Sequence, residues 1–102
     1  MLRLTDHYKN PKNWSYETNH IIENHRTFLE GLGHTGSLLF AGRTDLMPGD
    51  KNLFGIAVVK APSMEDAKEM MAKDPAVIKG IQIAEIFPYK SAMEFYQNHD
   101  NN

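Results

Sequence analysis

Four stretches of the chain have the apolar pattern that is typical of strands. They are MLRLTDH, SLLFAGRT, LFGIAVVKA and IQIAEIF. In the first and last, apolar residues alternate with polar ones, whereas the two middle runs are rich in aliphatic side chains. A turn centred on Pro48 and Gly49 separates the middle pair, and Pro88 ends the last run. The pattern predicts four short strands.

The longest amphipathic stretch predicts a helix that begins near Ser15 or Thr18, either of which can cap it. Gly36 is placed to end this helix, because glycine adopts the left-handed backbone of a C′ residue at no steric cost. The preceding YKNPKNWSY, rich in Asn, Lys and Pro, is expected to be a loop. The helix would carry one apolar stripe that needs a packing partner: Ile21, Ile22, His25, Phe28, Leu29 and Leu32.

A second helix is predicted through MEDAKEMMAK, where Ser63 and Asp66 have the spacing of a capping box. Asp74 and Pro75 then form an N-cap and N1 pair, which predicts one short helical turn closed by Gly80. A short C-terminal helix is expected in SAMEFYQN.

The predicted order is β-α-β-β-α-β, the ferredoxin-like arrangement of an α+β fold with a four-stranded antiparallel sheet. We expect one domain over residues 1–102, with its core at about 15–89 and a polar tail at about 97–102. Both helices would cover one face of the sheet, so apolar strand residues such as Leu39, Ile56, Val58 and Ile83, or their neighbours, would be exposed on the other. A patch of that size predicts a homodimer that packs sheet against sheet.

The charge and cysteine content narrow the class of protein. The net charge is −2, from 11 basic and 13 acidic residues, without a long run of one sign. We therefore expect neither nucleic acid nor a membrane surface as a partner. The chain has no cysteine, so a thiolate metal site and a cysteine nucleophile are excluded. With no apolar signal-like run at the N-terminus, a cytoplasmic location is expected.

The sequence GLGHTG at residues 31–36 matches the G-x-G-x-x-G pattern of dinucleotide-binding loops. Such a loop must follow a strand and open a helix, because the helix N-terminus supplies the donors for the phosphates. Here the motif follows a helical stripe and precedes a strand. We therefore interpret it as the end of a helix, and no nucleotide cofactor is expected.

No histidine spacing in the chain points to a metal site. His20 and His25 lie about 140° apart on a helix, so they cannot share a metal ion. His25 lies in the apolar stripe and must face the sheet or the edge of a cleft. It can be a core histidine with one satisfied hydrogen bond, or a functional group whose tautomer a nearby carboxylate fixes.

Two other candidates have plain structural alternatives. Ordinary capping explains Asp74 without any function. Arg43 ends a predicted strand, where it can line a pocket or be a solvated charge.

The chain resembles the YCII-like family of dimeric α/β-barrel proteins, which is related to muconolactone isomerase. The resemblance rests on ENHRTFLEGLGHTGSLLFAG, FGIAVVKAPSMEDAKEMMAKDPAVIKG and EIFPY, and it covers roughly Glu23 to Tyr89. The Asp-Pro step followed by an apolar pair and a glycine is its most specific part. The resemblance implies a ferredoxin-like subunit that pairs into a barrel. It also implies an active-site pair that would fall on His25 and Asp74.

Three hypotheses of function remain open at this point. A cofactor-independent isomerase or lyase would use His25 as general acid or base and Asp74 as its orienting group, on a small carbonyl or lactone compound. Arg43 would anchor a substrate carboxylate. A binding module would hold a metabolite in the same place without turnover, and an assembly unit would use the pair only as a fastening. A cofactor-free monooxygenase is a further enzyme alternative that no motif favours.

Overall fold

The computed structural model describes residues 1–93 as an α+β fold with an open four-stranded sheet. The strands and helices are β1 Leu2–Leu4, α1 Tyr16–His34, β2 Leu38–Arg43, β3 Gly55–Val59, α2 Met64–Met71, α3 Pro75–Ile78 and β4 Gln82–Ala84. Their order confirms the predicted β-α-β-β-α-β arrangement, with α3 as the short extra turn. Most of SAMEFYQN and the whole polar tail lie outside the described residues.

The sheet has the strand order β2-β3-β1-β4, and every neighbouring pair is antiparallel. This is the ferredoxin-like order, so the predicted fold is confirmed. Although β1 is only three residues long, it lies in the centre of the sheet, where Leu2 is opposite both Gly55 and Ala84. Leu2 is therefore buried between its two neighbouring strands.

Both ends of α1 follow local chemistry that the sequence predicts. The Ser15 hydroxyl accepts the Thr18 N–H at 3.2 Å, and the Thr18 hydroxyl accepts the Ser15 N–H at 3.2 Å. This reciprocal capping box satisfies two donors that the helix cannot pair internally. At the other end Gly36 has a φ of 84°, and the Ser37 N–H returns to the Leu32 carbonyl at 2.9 Å. The glycine motif is thus a helix end.

The segment before α1 is more ordered than the predicted loop. It contains two single 3₁₀ turns, Asp6–Lys9 and Pro11–Asn13. The Asn10 side chain caps the second turn by accepting the Lys12 N–H at 3.0 Å. The Trp14 indole donates to the Tyr8 carbonyl at 2.7 Å, which ties the two turns together.

Apolar side chains remain exposed on the sheet. Leu39, Ile56 and Ile83 are 56%, 44% and 53% exposed, whereas Val58 is half-buried. Phe40, a neighbour of Leu39, is 47% exposed. The expected exposure of apolar strand residues is therefore observed for three of the four named residues and for a neighbour, and the predicted homodimer stays a prediction.

Candidate functional site

His25 and Asp74, which are 49 residues apart in the sequence, meet between α1 and α3. The His25 Nδ1 lies 2.5 Å from the Asp74 Oδ2. That separation is shorter than the roughly 2.7–2.9 Å usual between a nitrogen donor and a carboxylate oxygen, so the two groups are in direct contact. The pair joins the middle of the long helix to the start of the short one.

The backbone around Asp74 fixes the position of its carboxylate. The Asp74 N–H donates to the Met71 carbonyl at 3.1 Å, so the residue follows directly on the end of α2. Its other side-chain oxygen, Oδ1, accepts the Ala76 N–H at 2.9 Å and caps α3. Asp74 has no exposed surface. Both carboxylate oxygens are therefore paired, as a buried charge requires.

The contact assigns the two ring nitrogens of His25 different roles. An ionised carboxylate only accepts hydrogen bonds, so Nδ1 carries the proton that it donates to Asp74. In the neutral ring, Nε2 is then the nitrogen with a free lone pair. The His25 side chain keeps 13% of its surface exposed, whereas that of Asp74 keeps none. The ring is thus the part of the pair that an outside molecule can reach.

Such an arrangement is the minimal unit for general acid–base chemistry. The carboxylate orients the ring, and the free nitrogen can take a proton from a substrate and return it at another position. The same geometry also serves as a fastening, since it links two helices and caps one of them. The contact alone allows both uses.

Arg43 lies apart from this contact in the hydrogen-bonding pattern. It is the last residue of β2, opposite Gly55, and it is exposed. Within residues 1–93 it forms no ion pair, either with Asp74 or with another acidic group. The structure thus brings His25 and Asp74 together and shows no bond from Arg43 to either.

A cleft lies on another part of the sheet. It has a volume of about 630 Å³ and is bordered by β3, by α2 and by the segment that follows β4. Neither His25 nor Asp74 lines it. The sequence analysis did not predict this cleft. No local pattern predicts it, because its lining comes from parts of the chain that are distant in sequence.

Two further features are absent from the described part of the chain. No group of three or more histidine, aspartate or glutamate side chains is arranged to hold a metal ion in residues 1–93. Over the same residues, no helix has the length and hydrophobicity that crossing a membrane requires.

Comparison with known proteins identifies the family. Residues 1–90 match the family model of the YCII-related domain. The match extends through the first strand, which is beyond the stretch that carries the resemblance in the sequence. No curated protein matches the chain significantly. Since this family model covers most residues of the chain, the chain belongs to the YCII family.

Proposed function

We propose that this YCII-family protein is a cofactor-independent isomerase or lyase that acts on a small carbonyl or lactone compound. His25 moves the substrate proton through Nε2, and Asp74 orients the ring and stabilises its charged form. In an isomerisation the proton leaves a carbon next to a carbonyl group and returns elsewhere in the same molecule. In a lyase reaction the bond to the leaving group breaks as the proton is removed, and His25 gives the proton to the released group. Neither route changes an oxidation state, so no redox group is needed.

The 2.5 Å contact between His25 Nδ1 and Asp74 Oδ2 carries this proposal. A histidine that only filled the core would need one acceptor of any kind. Here the acceptor is a wholly buried carboxylate whose second oxygen is held by the Ala76 N–H. The position of the Asp74 carboxylate is therefore fixed by the backbone. A carboxylate fixed in this way holds the His25 ring in a reproducible orientation, which a general base requires.

In the proposed reaction Arg43 is the anchor for a substrate carboxylate. Its exposed guanidinium has no acidic partner in residues 1–93, so its donors are available to a ligand. The proposal requires the substrate to span the distance from β2 to the ring of His25. Arg43→Lys, which keeps the charge and loses the two-pronged geometry, should raise KM more than it lowers kcat.

The test is turnover of a panel of lactones and enolisable ketones by the wild type, His25→Gln and Asp74→Asn. His20→Gln is the matched control, because His20 is an exposed histidine of the same helix. We expect His25→Gln to lower kcat by about 10²–10⁴-fold, the contribution of one positioned acid or base. Asp74→Asn should also lower kcat, because the ring then has no charged group to orient it. His20→Gln should retain the full kcat.

Two results would contradict the catalytic proposal. One is a wild-type protein without turnover above the blank across the panel. The other is an active His25→Gln variant with an unchanged kcat.

A non-catalytic role is the second candidate, and the position of the pair favours it. His25 and Asp74 lie outside the large cleft, and Asp74 already acts as a helix cap. In this alternative the pair only fastens α1 to α3, or the ring holds a metabolite without turnover. The fastening predicts that His25→Ala lowers the Tm without changing the binding of any ligand. Metabolite binding predicts that a ligand raises the Tm of the wild type and not of His25→Gln.

The proposed assembly is a homodimer formed through the sheet faces, and the exposed apolar strand residues support it. Ile83 is 53% exposed, so burying the rest of it against a partner contributes about 0.8–1.6 kcal/mol for each of the two copies in a symmetric dimer. Sedimentation equilibrium should therefore show a dimer that Ile83→Lys weakens by at least about tenfold in Kd. Met47→Lys is the control, since Met47 is 74% exposed in the loop after β2. A wild type that stays monomeric at about 100 times the protein concentration of the activity assay would refute the dimer.

The proposed location is the cytoplasm. A chain without cysteine is compatible with a reducing compartment.

A further inference from the structure

An ion pair lies among the apolar side chains on the open face of the sheet. Leu2 is buried, so it lies on the face that the helices cover, and Arg3, the next residue of β1, has its side chain on the other face. Glu85 follows β4 and exchanges two backbone hydrogen bonds of 2.8 Å with Met1, which places its side chain on the same face as that of Arg3. The Arg3 Nε lies 3.7 Å from the Glu85 Oε1.

Apolar residues surround the two charges. Arg3 lies opposite Ile83 of β4, whose side chain is exposed. The guanidinium carbon of Arg3 lies 5.7 Å from the centre of the Phe54 ring, and this cation–π contact holds the cation against the sheet. Ile56 is two residues after Phe54, so it shares that face, and it is also exposed. The two charges therefore lie among the apolar side chains that the proposed dimer would bury.

Within a single chain this ion pair contributes little. The side chains of Arg3 and Glu85 keep 44% and 49% of their surface exposed, and the separation of 3.7 Å is too long for a hydrogen bond. Most donors of the guanidinium and most lone pairs of the carboxylate are thus not used within the pair. A partner that covered these groups with apolar surface alone would leave them desolvated and poorly paired, which is costly. The occupant of this face must therefore place an anion over Arg3 and a cation over Glu85.

A second copy of the chain meets this requirement by symmetry. A two-fold axis that lies between two facing sheets, perpendicular to the line from Arg3 to Glu85, sets Arg3 over the partner's Glu85 and Glu85 over the partner's Arg3. Facing sheets pack about 10 Å apart, a gap that two long charged side chains can span together. An axis parallel to the same line would set like charges over each other. The ion pair therefore favours the first orientation over the second.

We propose that Arg3 and Glu85 fix the orientation and the partner choice of the sheet-to-sheet dimer by forming two reciprocal ion pairs across its interface. The partner that fits this face is a second copy of the chain. A protein that offers only an apolar surface is rejected, because it leaves both charges unpaired. The inference rests on the proposed dimer and does not depend on the proposed catalysis by His25 and Asp74.

Exchanging the charges tests the proposal, with sedimentation equilibrium as the measurement. Arg3→Glu and Glu85→Arg each leave only like charges facing one another, so each should weaken the dimer Kd by at least about 100-fold. The double variant Arg3→Glu/Glu85→Arg has the same two charges in exchanged places and should dimerise with a Kd within about tenfold of the wild type. Lys9→Glu is the control, because it changes the net charge as Arg3→Glu does, at an exposed site in the first 3₁₀ turn. It should leave the Kd unchanged.

A mixture of the two single variants gives a second, independent readout. The face of Arg3→Glu carries two acidic groups and that of Glu85→Arg carries two basic ones, so the two variants complement each other. Native mass spectrometry, which separates the species by mass, should show the heterodimer as the main dimer. Its Kd should be at least about 100-fold tighter than that of either variant alone. Circular dichroism verifies that each variant is folded, and the double variant decides the question if a single variant is not.

The proposal is overturned if either folded single variant dimerises as tightly as the wild type. It is also overturned if the double variant is monomeric or if the mixture forms no heterodimer. Such a result, together with a wild-type dimer that Ile83→Lys weakens, would leave the sheet-to-sheet dimer in place and remove only the role of the two charges. A wild type that is monomeric throughout would overturn both the dimer and this inference.

Discussion

Removing the Asp74 carboxylate should destabilise the fold by an amount that its contacts allow us to estimate. In Asp74→Ala the Ala76 N–H loses its acceptor at a site with no solvent exposure, which costs about 1–2 kcal/mol as a lost cap. The His25 ring loses a charge-assisted hydrogen bond, worth about 1.5–3 kcal/mol. The two terms together give a loss of roughly 4 kcal/mol.

Asp74→Asn should behave differently, because the asparagine has the same shape. Its side-chain oxygen can still accept the Ala76 N–H, and its amide can donate to the His25 ring in the other tautomer. We expect a loss of about 1 kcal/mol, chiefly from replacing a charged acceptor with a neutral one. In that tautomer Nδ1 accepts the hydrogen bond and Nε2 carries the proton, so Nε2 no longer has a free lone pair.

Chemical denaturation monitored by circular dichroism measures these losses, and thermal melts check them. For a chain of this length, 1 kcal/mol corresponds to a Tm shift of roughly 4–8 °C, so Asp74→Ala should melt about 16–32 °C below the wild type. A cycle with His25→Ala should give a coupling energy of about 0.5–3 kcal/mol. The reasoning is refuted if Asp74→Ala stays within 0.5 kcal/mol of the wild type, if Asp74→Asn loses as much as Asp74→Ala, or if the coupling is zero.

Two further predictions concern the ends of α1, and thermal melts check both. Ser15→Ala removes half of the capping box and should lower the free energy of unfolding by about 1 kcal/mol. The control Thr27→Ala, at an exposed position inside the helix, should not lower it. Equal losses in the two variants would contradict the capping role of Ser15. Gly36→Ala should destabilise the fold by about 1–2 kcal/mol, because the φ of Gly36 is 84°. Gly31→Ala, inside the last turns of α1, should stabilise it by about 0.5–1 kcal/mol, since a new Cβ there meets nothing within 4 Å. Tm shifts of the same sign would show that φ does not decide the difference.

The fold follows from local signals because each of them has a local physical cause. Ser15 caps α1 and Gly36 ends it, so the stripe between them is in register and one helix could be predicted with its limits. The apolar runs predicted the strands and their order, although β1 and β4 are shorter than those runs. The two 3₁₀ turns before α1 depend on individual side-chain bonds such as that of Asn10, which composition does not reveal.

The candidate site could be predicted only in part. The spacing of the stripe directs His25 to the packed side of α1, and the Asp-Pro step directs the Asp74 side chain back into its own helix start. Their contact links residues 49 positions apart, so it depends on how α1 and α3 pack, and spacing alone does not give that. The cleft bordered by β3, α2 and the segment after β4 depends in the same way on how distant parts of the chain pack.

The most direct test of the central claim is deuterium wash-in at carbons next to a carbonyl group, followed by NMR in D₂O. The measurement detects reversible proton abstraction even where no net product forms. The account predicts that the wild type and His20→Gln catalyse exchange into at least one compound of a lactone and ketone panel. It predicts that His25→Gln and Asp74→Asn lose most of that rate while remaining folded at the assay temperature. Exchange by the wild type that is no faster than the buffer rate for every compound, or that survives in His25→Gln, would contradict it.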